Sequence, residues 1–130
     1  MKTKILHWKD EKALDSAKKV ILNGGILVYP TDTIYGLGVN ALNLEAINSL
    51  NFVKNRQGPM SVIIESKEKA SNWLKLPDHE IKSALKYLKA QTTIIFPVKN
   101  NIVENNILGP NNTLGIRFSK HPFCIALANY

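Results

Sequence analysis

The sequence predicts an α/β fold, in which helices pack on a β-sheet. Segments with apolar residues at helical spacing alternate with short apolar runs that are typical of buried strands. The chain has 130 residues, of which 45% are hydrophobic and 21% charged, so it can bury a core. No repeat or linker divides it, and we therefore expect one domain over residues 1–130.

The first half of the chain is expected to form two helices and two strands. A first helix is capped by Asp10 and ends before a pair of glycines. Residues 26–29 are apolar and precede a proline, which predicts a buried strand. Residues 31–38 are polar and contain glycine, which predicts a turn. A second helix should begin after the N-cap Asn43, and residues 60–64 predict the next strand.

The second half continues the alternation. Ser66 and Pro77 are typical helix-start residues. Residues 92–96 and 113–118 predict two strands, separated by an asparagine-rich loop. A last helix should begin at His121 and run to the chain end. Because that helix stops in the middle of its apolar pattern, we expect the C-terminal part of the fold to be missing.

Cysteine content and hydropathy indicate a cytoplasmic protein. The single cysteine, Cys124, cannot form an internal disulfide, which fits a reducing compartment. Cys124 lies on the apolar side of the last predicted helix, so we expect it in the core rather than as a nucleophile. No apolar run approaches the roughly 20 residues that cross a bilayer, and no signal peptide is recognisable. We therefore expect no membrane partner.

The net charge of +7 favours anionic partners such as nucleotides or RNA. The lysines are spread widely, so most are expected on solvated helix faces, and a dedicated nucleic-acid surface is the alternative. The three histidines lack metal-binding spacing, and no metal site is predicted. The common glycine-rich nucleotide loops are also absent from the sequence, so nucleotide binding would require another architecture.

A first candidate site follows the first predicted strand. Residues 29–38 place two threonine hydroxyls, the Asp32 carboxylate and the Tyr35 phenol next to two glycines. Strand ends are the usual place for a site in an α/β sheet, and glycines permit close approach of a ligand. The alternative is a turn in which Thr31 and Asp32 make only local hydrogen bonds.

Two further candidates contain cations. Lys54 and Arg56 lie at the end of the second helix and can converge on phosphate, although such residues also commonly complement a helix dipole. Arg117 lies on a predicted strand and shares one face with Thr113 and Gly115. A half-buried arginine needs an anionic partner, which is either a protein carboxylate or a ligand carboxylate.

Taken in order, these segments resemble the YrdC-type threonylcarbamoyl-AMP synthases. The resemblance covers residues 25–130 and is carried by residues 29–38, Lys54-Asn55-Arg56, residues 59–62, and residues 114–117 with His121-Pro122. It implies a YrdC-like, twisted, open, mixed sheet with helices packed on it, around a positively charged cavity.

The resemblance also implies an activity. Such enzymes are nucleotidyltransferases that form threonylcarbamoyl-AMP and pyrophosphate from L-threonine, bicarbonate and ATP. Partner proteins of tRNA modification then use the product to make threonylcarbamoyladenosine in tRNA, and direct RNA contact is possible. Mg²⁺ is expected with the ATP phosphates rather than in a protein cage.

Individual residues take roles from the same resemblance. Thr33 matches a residue that contacts the substrate threonine, and Arg117 matches the arginine that binds its carboxylate. Lys54 and Arg56 match a catalytic pair that faces the ATP phosphates, and Thr113 matches a nucleotide-contacting hydroxyl. We expect Arg56 and Arg117 to face one shared pocket.

The chain departs from the family pattern at several points. Only Gln57 and Gly58 separate Arg56 from the following proline, Ile63 replaces a histidine, and residues 89–91 replace a Pro-Gly-Pro segment. A Ser-x-Asn motif that completes the site would follow residue 130. Two alternatives stay open: a non-catalytic nucleotide- or RNA-binding module, and a carbamoyl-transfer domain, which the single cysteine disfavours.

Overall fold

The computed structural model describes residues 2–129 and shows alternating helices and strands. In chain order they are α1 (Ala13–Leu22), β1 (Leu27–Tyr29), β2 (Gly36–Gly38), α2 (Leu44–Lys54), β3 (Val62–Ile64), α3 (Lys67–Ser71), α4 (Asp78–Leu85), β4 (Thr93–Pro97), a short 3₁₀ helix (Asn105–Ile107), β5 (Thr113–Phe118) and α5 (Pro122–Ala128). The α/β class predicted from the sequence is confirmed. The last helix was expected to run to the chain end, but it ends at Ala128 with Asn129 as its C-cap, and Tyr130 lies outside the described residues.

The strands form two sheets. β1 and β2 make an antiparallel pair, and β3, β5 and β4 make a three-stranded sheet with β5 in the centre. β3 runs parallel to β5, whereas β4 runs antiparallel to it. The three-stranded sheet is therefore mixed, as the family resemblance implied.

The two faces of the three-stranded sheet have different surroundings. Leu114 and Ile116 of β5 are buried, at 1% and 0% exposure. Alternate residues point to opposite faces, so Gly115 and Arg117 lie on the other side. Ile95 of β4, which pairs with Gly115, is 71% exposed. We call this second side the open face.

The core lies between the helices and the face of the three-stranded sheet that carries Leu114 and Ile116. It contains buried side chains from α2, the three sheet strands and the segments around α3 and α4, including Ile47, Ile64, Leu74, Leu88, Phe96, Val98 and Ile116. A smaller cluster joins α1 to α5 through Ala13, Ala17 and Phe123. Cys124 is 1% exposed and its thiol donates to the Pro30 carbonyl at 3.1 Å, which confirms the prediction that it is a core residue.

Three predicted helix starts are confirmed by side-chain caps. The Asn43 side chain accepts a hydrogen bond from the Ala46 N–H, and Ser66 caps α3 in the same way. The imidazole of His121 accepts from the Phe123 N–H at the start of α5. The first helix begins later than expected, at Ala13, because the Asp10 carboxylate accepts from the Lys12 N–H in a preceding turn.

The prediction of a turn over the whole of residues 31–38 was wrong at its end, where β2 forms. Gly36 and Gly38 pair with Tyr29 and Leu27 across the hairpin. A Cβ atom at Gly38 would lie 2.7 Å from the Tyr29 ring, so the ring occupies the space that a side chain would need. Two glycines carry no hydrophobic pattern, and the strand was therefore invisible to periodicity.

Within the part of the chain that the structure describes, no helix has both the length and the apolar character required to cross a bilayer.

The asymmetry of the sheet predicts unequal effects of two matched isoleucine substitutions. Ile116→Ala opens a cavity in the core and should lower the free energy of unfolding by about 2–5 kcal/mol. Ile95→Ala removes a mostly exposed side chain and should lower it by less than about 1 kcal/mol. Urea unfolding followed by circular dichroism measures both. Equal losses would contradict the assignment of an open face.

Candidate functional site

The candidate site is centred on the Arg117 guanidinium, near the end of β5. Its Nη2 donates to the Thr33 hydroxyl at 3.1 Å and lies 3.4 Å from the Asp32 carboxylate. Its Nη1 donates to the hydroxyl of Thr93, the residue paired with Arg117 on β4, at 3.3 Å. We call these four residues the Arg117 cluster. It joins the loop after β1 to the three-stranded sheet.

The loop after β1 is held by local hydrogen bonds as well. The Thr31 hydroxyl accepts from the Thr33 N–H at 3.1 Å and donates to the Ile34 carbonyl. The alternative in which both Thr31 and Asp32 make only local hydrogen bonds is wrong for Asp32, which contacts Gln91 and Arg117. Thr31 folds the loop locally, while Asp32 and Thr33 reach the arginine on β5.

Asp32 supplies the anionic partner that a half-buried arginine requires. The Asp32 side chain is 9% exposed and that of Arg117 is 21% exposed. Burial by itself would raise the pKa of Asp32. Other effects lower this pKa and together exceed the effect of burial, chiefly the hydrogen bond from the Gln91 N–H, the Arg117 charge and a further backbone hydrogen bond. The pKa of Asp32 is therefore below its ordinary value. Asp32 is therefore a carboxylate at neutral pH. Of the two partners considered for Arg117, the protein carboxylate is present.

Two other titratable groups next to the site stay neutral. Burial raises the pKa of Tyr29 to about 12, with a smaller contribution from Cys124 and an opposing one from Arg117. Burial also raises the pKa of the Cys124 thiol, although a hydrogen bond with Ser119 opposes the shift. Neither group is available as a base or nucleophile near pH 7.

Lys54 and Arg56 lie at the other candidate position, the C-terminal end of α2. Lys54 is the last residue of the helix, and the left-handed Asn55, with φ of 51°, ends it. Arg56 is exposed and lines a cleft of about 630 Å³, together with Asn48, Asn51, Phe52, Asn55 and Gln57. Among residues 2–129, no hydrogen bond or ion pair joins either cation to the Arg117 cluster. Their convergence with Arg117 on one pocket stays a prediction.

Thr113 lies at the start of β5, on the same face as Arg117. Its hydroxyl donates to the Pro110 carbonyl at 2.9 Å. The Thr113 hydroxyl oxygen would lie 2.7 Å from a Cβ atom built on Gly109, so it occupies the space that a side chain at position 109 would need. The Thr113 hydroxyl is thus tied to the loop before β5, and the open face runs from this loop to Arg117.

Sequence reasoning missed two contributors to the site. Strand alternation places Thr93 beside Arg117 only once the pairing of β4 with β5 is known. Gln91 donates its backbone N–H to Asp32 at 2.9 Å, from a left-handed conformation with φ of 63°. Glutamine has no special preference for this conformation, so no sequence signal pointed to Gln91.

In the described range, no group of three or more His, Cys, Asp or Glu side chains could hold a metal ion. Both carboxylate oxygens of Asp32 already accept hydrogen bonds from protein donors. The described residues therefore do not fit a metal bound by the protein alone.

Comparison with known proteins identifies relatives over most of the chain. The family model for Sua5, YciO and YrdC, described as "Telomere recombination", matches residues 19–130. The threonylcarbamoyl-AMP synthase of Hydrogenovibrio crunogenus is 32% identical over 122 residues, which are 89% of this chain and 65% of the relative. The corresponding protein of Marinobacter nauticus is 32% identical over 114 residues, or 85% of this chain and 60% of the relative. The chain thus spans less than two thirds of these relatives.

Solved structures show the same fold. The structure of Pyrococcus abyssi Sua5 complexed with L-threonine matches 98% of this chain and 37% of that one, with a TM-score of 0.77 and 26% identity. Escherichia coli YciO matches 91% of this chain and 58% of its own, with a TM-score of 0.75 and 19% identity, which supports the fold alone. The match of the family model over residues 19–130 shows that the chain belongs to the Sua5/YciO/YrdC family.

Proposed function

We propose that the protein is an L-threonylcarbamoyladenylate synthase, which forms threonylcarbamoyl-AMP and pyrophosphate from L-threonine, bicarbonate and ATP. One observation carries this proposal. Thr33 and Arg117, both assigned to threonine by the family resemblance, are 84 residues apart in the chain and yet in hydrogen-bond contact at 3.1 Å. The relatives named above are threonylcarbamoyl-AMP synthases, and P. abyssi Sua5 binds L-threonine, which supports the same assignment.

Arg117 would bind the threonine carboxylate. A guanidinium carries more N–H donors than the contacts to Asp32, Thr33 and Thr93 use, so donors remain for a ligand. The side chain is 21% exposed, which keeps these donors accessible and limits screening by water. Thr33, in contact with Arg117, would then lie close enough to contact the same amino acid.

Lys54, Arg56 and Thr113 would bind the nucleotide. Arg56 offers a planar fork for phosphate oxygens, and Lys54 offers a mobile point charge. Both are exposed and keep their cationic ends free of protein partners in the described structure. Mg²⁺, which we expect with ATP, would be held by the phosphates, since the described residues form no cage for it.

The proposed chemistry depends on charge and position more than on proton transfer. Threonine and bicarbonate condense to a carbamate with loss of water. A carbamate oxygen then attacks the α-phosphorus of ATP, and the bond to the β-phosphate oxygen breaks to release pyrophosphate. Both steps bring negative groups together, so fixed cations and fixed orientation provide the main acceleration. Burial raises the pKa of Tyr29 and of Cys124, so neither would act as a base in these steps.

The proposal extends to the setting of the enzyme. Its product is a reactive mixed anhydride, so a partner protein of tRNA modification must take it up in the same compartment, which we propose to be the cytoplasm. The net charge of +7 is compatible with direct contact to the tRNA.

A non-catalytic nucleotide- or RNA-binding module is the second candidate. It is favoured by the cleft at the end of α2, where the Phe52 ring is 86% exposed close to Arg56. An exposed aromatic ring and a nearby arginine can bind a stacked base and its phosphate. This candidate requires salt-dependent RNA affinity without pyrophosphate release.

Threonine-dependent pyrophosphate release is the direct test of the first candidate. We expect release from ATP only when both L-threonine and bicarbonate are present, measured with a coupled phosphate assay. L-Threonine binding, measured by isothermal titration calorimetry, should exceed that of L-threoninol by about tenfold or more, because threoninol lacks the carboxylate. No threonine binding, with salt-dependent RNA binding retained, would establish the second candidate instead.

Two arginine substitutions should separate the two ligands. Arg117→Ala should raise the Kd for L-threonine roughly 10- to 100-fold and change that for ATP less than about threefold, because charge-assisted hydrogen bonds are lost at one ligand only. Arg56→Ala should have the opposite selectivity, with about a tenfold weaker ATP affinity. Calorimetric titration of both ligands into both variants measures these values. Equal loss of both ligands from either variant would disprove the assigned roles.

A further inference from the structure

Gln91 and Asp32 are connected twice, although 59 residues separate them. The Gln91 backbone N–H donates to Asp32 Oδ2 at 2.9 Å, and the Gln91 side-chain amide donates to the Asp32 carbonyl at 3.3 Å. The segment just before β4 is thereby attached to the loop after β1.

The backbone of Gln91 is in an unusual conformation. Its φ of 63° lies in the left-handed region, and the other non-glycine residues with positive φ in the described chain are all asparagines. Asparagine tolerates this region because its short side chain bonds to nearby backbone, whereas glutamine lacks that compensation. The conformation directs the Gln91 N–H at the Asp32 carboxylate.

The Asp32 carboxylate thus bridges two donors. Oδ2 accepts from Gln91, while Oδ1 faces Arg117 Nη2 at 3.4 Å, and the side chain is only 9% exposed. Both neighbours are donors, so only a group with two acceptor oxygens satisfies them. An amide at this position would turn its NH₂ towards one of them.

We propose that Gln91 and Asp32 are positioning residues, which orient the Arg117 guanidinium for a ligand carboxylate. This inference rests on the proposed threonine-binding role of Arg117. An arginine side chain has many rotamers, and the β5 backbone fixes only the position of its Cβ atom. Thr33 and Thr93 are neutral acceptors, and Asp32 is the carboxylate that pairs with Arg117 in the described structure. Gln91 holds that carboxylate in place.

Binding of L-threonine and L-threoninol to matched variants tests the proposal. Asp32→Asn should raise the Kd for L-threonine about tenfold or more and that for L-threoninol less than about twofold, because only threonine presents a carboxylate to Arg117. Asp78→Asn makes the same chemical change at an exposed position at the start of α4 and should alter neither affinity. Equal weakening of both ligands by Asp32→Asn, or no weakening, would overturn the proposal.

A second pair of variants tests Gln91. Gln91→Gly retains the backbone N–H and readily adopts positive φ, whereas Gln91→Pro removes the N–H and, because its φ is fixed at about −65°, also leaves the left-handed conformation. We expect Gln91→Gly to bind L-threonine about tenfold more tightly than Gln91→Pro. Urea unfolding checks that each variant is folded. In the Asp32→Asn background the roughly tenfold difference between the two Gln91 variants should fall below about threefold, since Gln91 acts through Asp32. A difference that persists undiminished in that background would overturn the proposed route.

A ligand-free measurement separates this inference from the proposed function. The NMR signal of the Arg117 side-chain Nε–H should be sharp in the native protein and should broaden in Asp32→Asn, as the guanidinium gains rotational freedom. If the native protein binds no threonine, the proposed function fails, and this signal alone decides the positioning role. An unchanged Arg117 signal in Asp32→Asn would overturn it.

Discussion

The enclosure of the Arg117 side chain, which is 21% exposed, is the constraint from which the candidate site follows. A cation in that position must be surrounded by acceptors, and no single element of the fold provides enough of them. The acceptors come from the loop after β1 and from β4, so both must lie against β5. The two-stranded and three-stranded sheets share no strand. The interactions of Arg117 therefore help to determine how they meet.

In the proposed function, the three-stranded sheet combines a structural and a functional role through its two faces. Leu114 and Ile116 pack into the core on one face, while Arg117 lies on the other, next to the exposed Ile95. An arginine on the core face could not have met a ligand from solution. On the open face it is shielded enough for strong electrostatic interactions and remains accessible to a small carboxylate.

The three cations of the candidate site lie in two separate groups in the described structure. Arg117 is paired and held by neighbours, whereas Lys54 and Arg56 are exposed at the end of α2. This difference suits different ligands. An amino-acid carboxylate needs one fixed fork, whereas a triphosphate offers many oxygens to mobile cations.

The sequence alone determined the helices, the longer strands and the face that Arg117 shares with Thr113, because helix caps and apolar periodicity are local signals. It also identified Thr33 and Arg117 as candidates through the order of their motifs. Only the tertiary structure decided that these two residues touch, that Asp32 is the partner of Arg117, and that Gln91 holds Asp32. Such contacts join residues 59 to 85 positions apart, and no local pattern encodes which distant acceptor a half-buried cation will find.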